Sequence, residues 1–99
     1  MEYKDLELVR SIIKDATDLD IIYTYNDLVF PEHSKFIIQF DNENENNYFC
    51  YFRDNCSTYE QENILSNLII ASHQRNCTLV SDGVFELNQI GEEVEIQFL

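Results

Sequence analysis

Asp41, Glu43 and Glu45 alternate through residues 41–45 as the first three ligands of a calcium loop would, each offering oxygen to a hard cation. The rest of that pattern is missing. Its sixth position is Asn46, where the sharp turn requires glycine, and its twelfth is Phe52, where a bidentate glutamate closes the coordination sphere. The segment reads instead as a hairpin loop whose asparagines tolerate turn geometry, leaving an exposed acidic tip. Cys56, His73 and Cys77 are of types that bind zinc or build a thiol nucleophile. A helix expected after Cys56 holds it roughly 27 Å from Cys77 at 1.5 Å per residue, so the three do not converge. The cysteines read as small buried hydrophobes and His73 as a helix-end residue. Glu92, Glu93 and Glu95 cluster in sequence, but Glu93 and Glu95 alternate with apolar residues and belong on a hydrated strand face, unprepared for acid–base work. The chain has no glycine-rich phosphate loop, G-x-S-x-G or H-E-x-x-H motif, and only two glycines. Neither an enzyme nor a cofactor or metal is expected.

The charge is more informative. Nineteen acidic residues face six basic ones, a net charge of −13 on 99 residues, and residues 76–99 hold acids but no Lys or Arg. The surplus is spread over the first helix, the early connections, the 41–45 loop and the last strand, so it is a property of the surface rather than of a tail. Self-repulsion on this scale opposes folding and deters contact with nucleic acid or anionic lipid, which leaves a basic protein as the natural partner. Two outward carboxylates on one strand stand about 6.8 Å apart at 3.4 Å per residue, the scale of successive phosphates on a nucleic-acid strand.

The expected function is therefore that of a non-enzymatic binding or inhibitor protein that presents acidic groups to a basic partner, such as a nuclease or another nucleic-acid-binding effector. The expected contacts are Asp41, Glu43 and Glu45 with a second patch of Glu92, Glu93 and Glu95, and Tyr48 and Tyr51 as aromatic anchors. In size, charge and AT-rich flavour the chain resembles the small acidic inhibitors that phages direct against restriction or CRISPR nucleases, a class without a shared sequence motif. The alternatives are a secretion-chaperone-like or immunity protein that binds one client through an apolar, dimeric surface, and a domain whose charge serves solubility alone.

The elements that must position these residues follow from periodicity. A chain of this length forms one domain, residues 1–99, and 44% apolar content with seven Phe and six Tyr supplies a core. Leu6, Val9, Ile13 and Ala16 recur at helical spacing over residues 3–16, with Glu2 and Asp5 at the favourable end of the dipole and a stop near Thr17. Residues 20–25 read as a strand, which residues 28–30 extend across a bulge. Residues 35–40 and 48–53 read as strands apolar on both faces. Ser57 and Glu60 form a capping box ahead of a second helix carrying Ile64, Leu65, Leu68, Ile69 and Ala71, which Asn76 ends in the left-handed conformation. Asp82-Gly83 predicts a tight hairpin, and the last strand should turn Val94, Ile96 and Phe98 inward and Glu93, Glu95 and Gln97 outward. The expected fold is α+β, in the order α-β-β-β-α-β-β-β, a mainly antiparallel sheet with two packed helices. An odd set of three cysteines and a start without signal-peptide features predict reduced thiols and a cytoplasmic protein, and the absence of an 18-residue apolar run predicts no membrane span.

Overall fold

The computed structural model describes residues 6–99. The expected contribution of Glu2 and Asp5 to the first helix lies outside that range. Helix α1 is Leu6–Thr17 and buries Val9, Ile12 and Ile13 on one stripe. Asp18, at φ 63°, ends it and donates its amide to the Lys14 carbonyl at 2.9 Å, one of the otherwise orphaned carbonyls of a helix end. Four strands follow: β1 (Ile21–Tyr25), β2 (Leu28–Pro31), β3 (Phe36–Phe40) and β4 (Asn47–Arg53). Helix α2, Thr58–His73, then leads to β5 (Thr78–Ile90) and β6 (Glu93–Phe98).

The α+β layout with two helices and a mainly antiparallel sheet is the one expected from the sequence, but the strands divide four and two around α2 rather than three and three. Two local features cause this. Asn26-Asp27 closes a tight hairpin in which Tyr25 pairs with Leu28, so residues 28–31 are a separate strand antiparallel to β1. The bulge in this pair lies earlier, where Ile22 is the extra residue between the Ile21 and Tyr23 pairings. Asp82-Gly83, by contrast, makes no hairpin. Strand β5 runs straight through it, and the register against β4 passes from Cys50 opposite Ser81 to Tyr51 opposite Gly83, leaving Asp82 as the extra residue of a bulge. Gly83 takes φ +151°, a conformation that side chains disfavour, and it does so beneath the Tyr51 ring.

The sheet follows chain order, β1-β2-β3-β4-β5-β6. Only β4 and β5 pair in parallel, because α2 carries the chain back across the sheet between them. The Ser57 half of the capping box at the start of α2 is formed, with Glu60 donating its amide to Ser57 Oγ at 3.2 Å, while the Glu60 carboxylate pairs with Lys35. At its other end Asn76 sits at φ 59° and Arg75 donates to the Ala71 carbonyl while pairing with Asp15 on α1, which ties the two helices together. Both helices pack on one face of the sheet. There Val9, Ile12, Ile13, Leu68 and Ala71 meet Val29, Phe36, Ile38, Tyr48, Cys50, Phe52 and Leu79 in the main core.

The opposite face carries a smaller cluster of Leu28, Ile37 and Phe85, with Phe30, Tyr51, Leu87 and Ile96 half-buried around it. Among the described residues no helix covers this side, and the curl of the sheet brings the outermost strands β1 and β6 to line one trough there. Past the pairing of Phe85 with Arg53, β5 has no neighbour but β6, so residues 86–97 form a two-stranded arm beyond the end of β4.

Candidate functional site

The two acidic patches predicted from sequence occupy opposite ends of the sheet. Asp41, Glu43 and Glu45 lie in the β3–β4 loop, beside the start of β5, where Thr78 donates its amide to the Asn46 carbonyl at 2.9 Å. Glu92, Glu93 and Glu95 lie at the far tip of β5 and on β6. The 13 residues of β5 between them span about 40 Å at the usual strand rise, matching the molecule's longest dimension of 41 Å. One flat partner surface of ordinary size therefore meets one patch or the other.

Within the first patch the side chains divide their work. Asp41 Oδ1 accepts the Glu43 amide at 2.9 Å, and Asn44 Oδ1 accepts the Asn46 amide at 3.1 Å. These are side-chain turns that satisfy backbone donors which the short loop cannot pair otherwise. Asp41 and Asn44 thus build the loop, while Glu43 and Glu45 stand exposed on it. Asp41→Ala is expected to lower the unfolding free energy by about 1 kcal/mol, the scale of a lost cap, whereas Glu43→Ala leaves it unchanged. Urea denaturation of the two variants distinguishes the roles. Among the described residues no group of three or more His, Cys, Asp and Glu is placed to hold a metal ion.

The two predicted aromatic anchors point to opposite faces of β4. Tyr48 is 1% exposed, in the main core beneath the helices, with its ring against Phe40 at a centroid distance of 5.8 Å. It cannot meet a partner, and the expectation for it is corrected on that ground. Tyr51 is half-buried on the other face, its ring 4.7 Å from that of Phe98. Its hydroxyl proton is shared between Gln39 Oε1 and Asp82 Oδ2, both at 2.9 Å, and Gln39 in turn donates to Asp27 Oδ2. Burial and then the Asp82 carboxylate push the Tyr51 phenol up to about 12. The bulge that positions Asp82 thereby completes a polar bridge across β3, β4 and β5, and Tyr51 forms part of the trough-side cluster.

The trough itself is the feature that sequence reasoning missed. It encloses a volume of about 870 Å³ between the β1–β2 hairpin and the β5–β6 arm. Ile22, Tyr23, Tyr25 and Phe30 form one wall, and Leu87, Ile90, Val94 and Ile96 the other, with Ser34 also lining it. Glu93 and Glu95 are the charged residues lining it. Register assigns Val94, Ile96 and Phe98 to the same face as Phe85 and Leu87, as the alternation predicts. That face is open, however, so Val94 is 61% and Phe98 45% exposed, and the expected burial of these two is corrected. Tyr23, at 57%, is likewise exposed on the facing wall. The available signal was the concentration of apolar residues in two terminal hairpins, but only the curl of the sheet sets them opposite each other.

The cysteines stand apart from both surfaces. Cys50, Cys56 and Cys77 are buried free thiols. Burial raises Cys50 far above the usual thiol range, and burial followed by the neighbouring Glu60 raises Cys56. A protonated, enclosed thiol is a poor nucleophile at neutral pH. Comparison with family models, curated proteins and solved structures finds no match to this chain.

Proposed function

We propose that the protein is a non-enzymatic binding protein whose acidic surface meets a basic surface of a partner protein. The observation that carries this reading is where the counter-charges lie. Arg10 pairs with Glu7, Lys14 with Asp18 and Asp20, Lys35 with Glu60 and Arg75 with Asp15. These four bases neutralise acids on and around the helices, while among the described residues the carboxylates of the 41–45 loop and of residues 82–95 form no ion pair with Lys or Arg. Such fields accelerate encounter with cations and repel polyanions. A nucleic-acid-binding effector is the partner class favoured by the spacing of Glu93 and Glu95, two residues apart on one strand face and so about 6.8 Å from each other. Inhibition of such an effector by occupation of its cationic cleft is the corresponding mechanism.

Salt dependence and charge reversal test it. Capture of partner protein by the immobilised chain is expected to fall steeply between low and physiological salt, and duplex DNA is expected to displace the captured protein. Reversal by Glu43→Lys with Glu45→Lys, or by Glu93→Lys with Glu95→Lys, should weaken capture about tenfold or more at low salt for the patch that makes contact. Salt-insensitive capture, or capture indifferent to both reversals, would overturn the reading. A second reading, a protein that shields an apolar segment of one client, is favoured by the exposed aliphatic and aromatic walls of the trough.

A further inference from the structure

We infer that the trough between β1 and β6 is a docking groove for a basic segment with an apolar face, supplied by the partner protein. This rests on the reading of the chain as a binder of basic proteins and adds the place and the chemistry of the contact. Three observations point to this occupant. The walls are aliphatic and aromatic, with Ile22, Tyr23, Tyr25, Ile90 and Val94 each exposed by more than half. Apolar side chains gathered in a concavity, rather than scattered singly, are the surface pattern of an interaction site.

The charges at the groove are of one sign. Glu93 and Glu95 are among its lining residues, on the β6 face opposite Val94 and Ile96 and so at its rim, and Glu92 adjoins them at the tip of the arm, with no Lys or Arg from residue 76 to residue 99. Lysine or arginine flanking the apolar face of an incoming segment would meet these carboxylates, and the exposed tyrosines of β1 are aromatic partners for the same cations. A second copy of the chain is the poorer fit. Pairing two β6 edges would set Glu93 and Glu95 against their own counterparts in a molecule of charge −13, and like charges across a strand pair are destabilising. The arm supplies the third observation: a two-stranded ribbon with little support of its own gains packing when a segment fills the space beneath it.

The probe is a fluorescein-labelled 18-residue Lys/Leu amphipathic peptide, compared with a Lys/Ser peptide of equal charge and a Glu/Leu peptide of equal apolar content. Anisotropy titration should show the Lys/Leu peptide binding about tenfold or more tightly than the Lys/Ser peptide, and no binding of the Glu/Leu peptide. Val94→Asp discriminates sharply. It adds negative charge, so a purely electrostatic contact would tighten, whereas occupation of the groove predicts about tenfold weakening. Tyr23→Ser on the opposite wall is expected to act in the same direction, and because both sites are exposed the folded state of each variant can be verified by circular dichroism. Equal affinity for the two cationic peptides, or tightening by Val94→Asp, would overturn the groove. In that case weakening by Glu43→Lys with Glu45→Lys would leave the acidic-surface reading standing, while indifference to that pair and to Glu93→Lys with Glu95→Lys would remove both. A dimer in sedimentation equilibrium that Val94→Asp dissociates would place a second copy in the groove and overturn the basic-segment assignment.

Discussion

Tyr48→Ala lowers the unfolding free energy by about 3–5 kcal/mol, the range for truncating a fully enclosed aromatic side chain, whereas Tyr51→Phe changes it by roughly 1 kcal/mol. The two residues stand three apart on β4 and look alike in sequence. Tyr48 is 1% exposed, edge-on to Phe40, in the cluster where Ile12, Ile13 and Leu68 press onto the sheet. Its removal leaves a cavity that the surrounding helices and strands cannot readily close, since each is held by its own hydrogen bonds. Tyr51 faces the trough, and its phenyl ring stays against Phe98 after the hydroxyl is lost. What Tyr51→Phe forfeits is a hydrogen bond shared between two half-hydrated acceptors, Gln39 and Asp82. Urea denaturation with slopes checked for equality measures both changes. A small loss for Tyr48→Ala would mean that the helix layer sits less tightly on β4 than the described packing requires.

The same pair shows what the sequence could convey. A period of two in residues 48–53 tells which side chains share a face, and Tyr48, Cys50 and Phe52 do share the helix-covered one. Periodicity does not say which face meets the helices when both faces are apolar, so Tyr48 and Tyr51 could not be told apart. Residues 93–98 make the converse case. Val94, Ile96 and Phe98 do fall together, but among the described residues no layer lies over them, because what covers a face depends on partners remote in the chain. Signals complete within a few residues held: the Ser57 cap on the Glu60 amide and the left-handed Asn76 both formed. Asp82-Gly83 failed although its physics was right. The dipeptide marks a backbone suited to glycine, and a bulge requires that as much as a hairpin does, so the pair fixed a conformation without fixing the direction of the chain. The hairpin at Asn26-Asp27 carried the complementary ambiguity, with asparagine rather than glycine at the positive-φ position, φ 53°.

Stability should also fall on the alkaline side, through Cys50. Its thiol lies on β4 at 0% exposure, and burial, reinforced by nearby Cys56, raises it far above the usual thiol range. In the unfolded chain the same thiol ionises near pH 8.5. Above that pH the unfolded state sheds a proton that the folded state keeps, so the unfolded state is favoured as pH rises. The contribution is complete below about pH 8.5 and declines above it by up to about 1.4 kcal/mol per pH unit, until the folded thiol itself ionises. From pH 8.5 to 10 the loss from this one group comes to about 1.6 kcal/mol. Cys56, raised for the same first reason, adds in the same direction. The paired lysines Lys14 and Lys35, raised by Asp20 and Glu60 respectively, and the Tyr51 phenol belong to higher pH, because their unfolded counterparts titrate near or above 10. The thiols therefore dominate the change from pH 8.5 to 10, and comparison with the Cys50 variant removes the part due to the other groups. Cys50→Ala costs a constant amount for the lost volume at every pH, but its stability should decline less steeply over that interval than that of the native chain. Parallel declines for the two proteins in urea titrations at pH 8.5, 9.25 and 10 would show that Cys50 ionises as readily folded as unfolded, and hence that β4 is open to solvent beneath the helices.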